Sequence, residues 1–157
     1  VVTTAGSDDK CQACLELGAD HAINYRTQDF VDAMKQKKLE ANLVLDMVGG
    51  DYIARNFRVM ALEGRIVQIA FQQGSKVEID LMPLMLKRLK LTGSTLRSRT
   101  VAQKALIARE LEAKVWPLLA QGRCRPVIHA TFPLTEAAKA HELMESSAHV
   151  GKIVLTT

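Results

Sequence analysis

The sequence has 157 residues, 48% of them hydrophobic and 24% charged, with a formal net charge of +4. That is about one domain's length at roughly 100–200 residues per domain, and the balance excludes a collagen, a disordered tail or a coiled coil. No apolar run approaches the ~20 residues of a membrane span, and no basic-then-apolar run marks a signal peptide in the first residues. The chain opens inside a strand pattern, Val1-Val2-Thr3-Thr4, without a Met. It is therefore expected to be a piece of a longer polypeptide.

The predicted elements alternate between strand and helix. Val1–Thr4 reads as a strand, and Ser7 caps a helix that carries Asp8 and Asp9 in its first turn and stops at Gly18. Ala22–Asn24 is a short strand, and Thr27 caps a second helix with Phe30, Val31 and Met34. Asn42–Val48 is a near-continuous apolar run before Gly49-Gly50, the pattern of a strand buried on both faces. A helix over Asp51–Met60, a strand over Arg65–Ala70, a helix near Leu81–Leu89 with Pro83 in its first turn, and a strand over Lys90–Ser94 follow. Thr100 caps the longest helix, which reaches Leu119, is bent or shortened by Pro117 and ends at Gly122. After Pro126 come a strand (Val127–Phe132), a helix (Thr135–Ser146) and a strand (Lys152–Leu155). Strands alternating with helices predict an α/β fold with a Rossmann-like, doubly wound parallel sheet. The one composition seam, 121–126, divides the chain into residues 1–122 and 123–157.

The charge and the cysteines narrow the partners. The 21 Lys and Arg are spread along the chain, and the tightest cluster, Lys35-Gln36-Lys37-Lys38, sits at a helix end, where cations complement the macrodipole. Aromatics, at 4%, are too few for a base-stacking platform, so no nucleic-acid partner is expected. Three cysteines make no disulfide framework and suit a reducing, cytoplasmic setting. Cys11-Gln12-Ala13-Cys14 has the spacing of a redox dithiol. Within a helix these cysteines are expected to pack as small hydrophobes instead. His21, His129, His141 and His149 show no metal-ligand spacing, and no general acid–base set stands out. Asp46, at the end of a buried strand, is either a charged group in the crevice or the cap of the next turn.

In an open parallel sheet, ligands bind beyond the carboxyl ends of the strands. After the first strand stand Gly6-Ser7, with Lys10 one turn on, where an NAD-selective fold places a carboxylate for the ribose 2′-hydroxyl. A hydroxyl and an ammonium suit the 2′-phosphate of NADP. The same residues also fit a plain helix cap and a solvated lysine, and spacing does not separate the two. The phosphate-binding G-x-G-x-x-G is absent from these residues.

The order Ala5-Gly6-Ser7…Lys10, Leu17-Gly18-Ala19…Asn24-Tyr25, Leu45-Asp46-Met47-Val48-Gly49-Gly50, Leu62-Glu63-Gly64-Arg65, Leu96-Arg97-Ser98-Arg99 and His149-Val150-Gly151-Lys152-Ile153-Val154-Leu155 resembles the medium-chain dehydrogenase/reductase superfamily. It is most similar to the zinc-free quinone oxidoreductase branch. The resemblance covers essentially the whole chain. It implies that NADPH delivers hydride to a quinone or another conjugated carbonyl, with the cofactor supplying the chemistry. It places Gly6, Ser7, Lys10 and Tyr25 around the 2′-phosphate and adenosine ribose, and Val48 along the run toward the nicotinamide. Ile69, Ala70 and Phe71 would lie beside the nicotinamide, and Ser94, Leu96 and Arg97 in the loop next to the reacting ring. No catalytic side chain and no metal ligand is implied.

The resemblance also implies a first Rossmann strand, a glycine-rich turn and a GroES-like substrate domain before Val1, with residues from about Arg123 returning to that domain. The full protein is expected to be a homo-oligomer without a membrane partner, and copies of this chain alone to exchange strands. Two alternatives stand beside this reading. One is a 2-enoyl or alkenal reductase of the same superfamily. The other is a non-catalytic binding or assembly module, for which the missing phosphate loop speaks.

Overall fold

In the computed structural model, which describes residues 1–157, the chain forms two compact units, Val1–Arg99 and Thr100–Thr157. The first unit runs β1 (Val2–Ala5), α1 (Asp8–Glu16), β2 (His21–Asn24), α2 (Phe30–Gln36), β3 (Ala41–Asp46), α3 (Tyr52–Val59), β4 (Met60–Gln68), α4 (Met82–Leu86) and β5 (Lys90–Gly93). Every strand pair is parallel, as alternation with helices predicts. The sheet is not continuous: β1 pairs with β2, and β3-β4-β5 form a separate three-stranded sheet. β1 and β3 each keep one edge without a strand partner.

Local chemistry accounts for most boundaries. Ser7, in extended conformation, accepts from the Lys10 N–H and starts α1. Gly18 follows the helix end at φ +100°, in the left-handed region where a side chain is strained. The cap of α2 is Asp29, not Thr27: its carboxylate accepts from the Val31 and Asp32 N–H groups, while the Thr27 hydroxyl donates to the Asn24 carbonyl. The basic cluster after α2 sits at a helix end as expected, with Lys38 at φ 55°.

Two apolar clusters hold this unit. Ile23, Phe30, Val31, Met34 and Val59 form one, joined by Val2 of β1 and Ala41 of β3. Ile53, Phe57, Met60, Ile66 and Leu89 form the other, with Ala41 and Val44 against it. The two sheets thus rest on a shared interior although no ladder joins them. Burial of β3 on both faces is not observed: Leu43 and Leu45 are 64% and 65% exposed, while Asp46, at the strand's end, is 3% exposed. Only the face toward α3, carrying Val44 and the fully buried Ile66 beside it, is covered.

In the second unit, Thr100 and Gln103 form a reciprocal capping box at the start of α5 (Val101–Lys114). The expected single long helix breaks at Val115, because Pro117 sits in the first turn of α6 (Trp116–Ala120), where it has no N–H to give. β6 (Ile128–Pro133), a 3-10 turn (Leu134–Glu136), α7 (Ala137–Glu145) and β7 (Lys152–Thr156) complete a parallel strand–helix–strand unit.

Candidate functional site

The sequence-named residues gather at the carboxyl ends of two sets of strands, built differently. At the end of β1, Gly6 lies under the Tyr25 ring: a Cβ added at Gly6 would sit 2.6 Å from the Tyr25 hydroxyl and 3.6 Å from Nε of Arg26. The absence of a side chain at Gly6 lets an aromatic ring and a guanidinium approach its backbone. Ser7 and Lys10 follow on the first turn of α1, whose N-terminus carries partial positive charge. The Ser7 oxygen accepts from the helix, so its own O–H proton stays available to a ligand. Ser7 is therefore a cap and a donor at once.

Asp8 and Asp9 also stand in that first turn and would oppose an anion. Asn24 counters one of them: its Nδ2 donates to Asp8 Oδ1 at 2.7 Å, and its Oδ1 accepts from the Arg26 N–H at 3.1 Å. One buried amide thus ties back a carboxylate and folds the turn that carries Tyr25 and Arg26. Asn24 and Arg26 were not among the residues to which the resemblance assigns the cofactor. Their signal was adjacency, since both flank Tyr25 in Asn24-Tyr25-Arg26.

Beside this turn is an open hollow of about 440 Å³ reaching Asp29, Asp51 and Arg55. The Arg55 guanidinium stacks 4.3 Å over Phe30 and 4.9 Å over Tyr52 and pairs with Asp29 at 3.0 Å. Burial pushes the Asp29 carboxyl up, but the Asp32 and Val31 N–H groups and Arg55 outweigh it and hold it below its ordinary value. In α1, burial raises the Cys11 thiol, with the nearby Cys14 and Asp8 adding to the effect. That direction is opposite to an activated thiolate, and Cys11 is buried in α1 as an apolar side chain would be.

The second group is held by backbone. Asp46 is buried at the end of β3; its Oδ1 accepts from Val48 and Gly49 N–H groups at 2.6 and 3.1 Å, and its Oδ2 from Asn56 of α3 at 2.9 Å. Of its two expected roles, Asp46 takes that of the turn cap. The segments after β3 and β4 then continue side by side. Ile69 donates to the Asp46 carbonyl, Gln72 to Met47, Gln73 to Val48, and Gly50 to Gly74. Gly49, at φ +70°, has the Gly74 carbonyl 2.7 Å from where a Cβ would be, so this approach admits no side chain. Ser94 joins through its N–H on the Gln68 carbonyl at 3.0 Å, and the Arg99 N–H closes a turn on Leu96.

Val48, Ile69, Ala70, Phe71 and Ser94 are therefore tied into one bonded mesh at the ends of β3, β4 and β5. Leu96 and Arg97 lie in the loop leaving it. Gly6, Ser7, Lys10 and Tyr25 form the other cluster, and no ladder hydrogen bond links the strands that carry the two. Ile69 and Phe71 are 41% and 49% exposed at the mesh surface. No group of three or more His, Cys, Asp or Glu side chains converges anywhere in the chain.

Comparison with known proteins matches residues 17–155 to a family described as zinc-binding dehydrogenase. A quinone oxidoreductase-like protein 2 of Bos taurus is 30% identical over 99% of this chain and 45% of its own length. The Escherichia coli quinone oxidoreductase, solved in complex with NADPH, superimposes at TM-score 0.82 with 28% identity, over 99% of this chain and 49% of that one. The Thermus thermophilus quinone oxidoreductase, solved alone and with NADPH, gives 0.83 and 25%, over 100% of this chain and 49% of that one. The chain thus spans just under half the length of these relatives.

Proposed function

The chain belongs to the zinc-binding dehydrogenase family, and from that premise we propose that it is the C-terminal, NADPH-binding portion of an oxidoreductase acting on a quinone or a similar conjugated carbonyl. The observation that carries the NADPH reading is the cluster over Gly6. Ser7, Lys10 and Tyr25 supply a hydroxyl, an ammonium and a phenol, and Asn24 ties back Asp8 in the adjacent helical turn. That donor set fits a phosphate monoester on the ribose better than a free 2′-hydroxyl, which a carboxylate would select. Gly6 lets the Tyr25 hydroxyl and the Arg26 guanidinium come close to the backbone at the start of that turn.

When bound, the cofactor supplies the hydride. The residues of this chain bind and orient. Ser7, Lys10 and Tyr25 hold the adenosine end; Val48 lines the path between; Ile69, Ala70 and Phe71 border the nicotinamide; Ser94, Leu96 and Arg97 flank the reacting ring. In this reading residues 1–122 form the cofactor-binding part, and residues 123–157 return to a substrate domain elsewhere in the polypeptide. We assign no metal ligand among these residues.

The test is cofactor binding and turnover by the complete polypeptide, with NADH as control and a quinone and an enone as acceptors. Preference for NADPH with quinone turnover supports the reading. A wide preference for NADH overturns the phosphate role of Lys10, and turnover of the enone alone favours a 2-enoyl or alkenal reductase. The chain of residues 1–157 on its own is expected to bind NADPH weakly and to show no reductase activity; robust turnover by it would contradict that.

A further inference from the structure

Gln68 is the last residue of β4, and a polar side chain there interrupts the apolar run Ile66-Val67-Gln68-Ile69. Register places it in one row with Asp46 and Gly93, so its side chain lies on the same covered face as Asp46. It is 7% exposed. Its Nε2 donates to the Ala70 carbonyl at 2.6 Å, while its Oε1 is buried with no partner. A buried orphan acceptor costs about 1–3 kcal/mol, so a methionine of similar shape would serve stability at least as well. The amide therefore calls for an explanation other than stability.

The Ala70 carbonyl supplies one. The Ala70–Phe71 peptide is trans, so its carbonyl and its N–H point in opposite directions. With the carbonyl drawn in by Gln68, the Phe71 N–H is turned to the other side. In the same loop the Ile69, Gln72, Gln73 and Gly74 N–H groups all donate within the mesh, while those of Ala70 and Phe71 do not. The Phe71 N–H donates to no group of the chain, and Phe71 is half exposed. An unspent main-chain donor, fixed in direction at the end of the central strand, suits a neutral carbonyl acceptor.

We propose that Gln68 is a positioning residue which, by holding the Ala70 carbonyl, presents the Phe71 N–H to the carboxamide oxygen of the cofactor's nicotinamide ring. This rests on the cofactor reading above. The basic groove between α2, α3 and α4 offers no rival site, because Lys35 and Arg58 complement the ends of their own helices.

The test compares NADPH with its thionicotinamide analogue, whose sulfur is a poor acceptor, by direct binding to the complete polypeptide and to its Gln68→Met variant. The parent should prefer the oxygen form by roughly 3- to 10-fold, the worth of one neutral hydrogen bond. Gln68→Met should lose most of that preference, keep the NADPH-over-NADH ratio, and show an unchanged or higher thermal midpoint. If Gln68→Met does not fold, Gln68→Glu, which keeps the length but loses the donor, should show the same loss. A preference that survives either substitution, or one absent from the parent, overturns the proposal. Failure of the parent to bind NADPH at all would instead overturn the cofactor reading.

Discussion

At the end of β1 the chain offers side chains to a ligand, and at the ends of β3 and β4 it offers backbone. Tyr25 is 46% exposed, and Ser7 and Lys10 stand on the first turn of a helix. After β3 and β4 the arrangement reverses. The polar side chains, Asp46, Asn56 and Gln68, are buried and touch only protein, and the surface they support is main chain. The first cluster is suited to discriminate between ligands that differ by one charged group. The second is suited to hold a neutral ring at a fixed place.

Removing Asp46 should break the second cluster without selectivity. Asp46→Ala strands two main-chain N–H groups and the Asn56 amide. At about 1–3 kcal/mol per stranded group, the loss in stability should be about 3 kcal/mol or more, read by urea unfolding. Affinity for NADPH and NADH should fall together. A fall confined to NADPH would show that the two clusters do not divide the cofactor as argued.

Lys10→Ala should do the opposite. It removes a charge-assisted contact worth roughly 1.5–3 kcal/mol, so NADPH binding should weaken about 10- to 100-fold while NADH binding and stability hardly change. Titration of both cofactors against the variant checks it. Equal weakening would return Lys10 to the role of a solvated helix residue.

The contrast also explains what could be read in advance. Ser7 and Lys10 stand out in a sequence because their chemistry is in their side chains, whereas Tyr25 was placed beside them only by the family resemblance. The alternation of strands and helices and the effect of Pro117 were equally legible, since periodicity and proline act locally. The residues of the mesh after β3 and β4 came only with the family resemblance, because the groups that tie the mesh together are N–H and C=O and any residue supplies them. Asp46 was ambiguous because its type and position allow both roles; the Val48 and Gly49 N–H groups it accepts from make it the turn cap, and Asn56 of α3 satisfies its other oxygen. The apolar run over β3 misled in one respect. Leu43 and Leu45 carry the composition of a doubly buried strand, but burial depends on what packs opposite, which composition does not encode.

Gly6→Ala should have a smaller effect than Lys10→Ala. The added methyl meets the far end of the Tyr25 ring, which is half exposed and free to swing aside, so stability should fall by less than about 1 kcal/mol. The displaced ring would no longer cover the turn, and NADPH affinity should drop several-fold. Gly6→Ala in a Tyr25→Ala background should then cost little more than Tyr25→Ala alone, a double-mutant cycle that measures the contact itself.

The smallest effect on cofactor binding is expected at the border of the first cluster, where Asp29 caps α2 and pairs with Arg55. Thr27 and Asp29 are both good caps by residue type, and Arg55, 26 positions from Asp29, helps to select the carboxylate. Asp29→Ala should cost about 1 kcal/mol. Because the folded-state carboxyl is held below its ordinary value, its contribution is fully present above the unfolded carboxylate range, near pH 4, and is lost as pH falls through the lower folded value. Asp29→Asn keeps the cap oxygen but not the charge. The stability difference between parent and Asp29→Asn should therefore be constant near neutrality and shrink below about pH 4. A difference that stays flat down to about pH 2 would mean that the Arg55 pair and the charged cap add nothing beyond the neutral hydrogen bond.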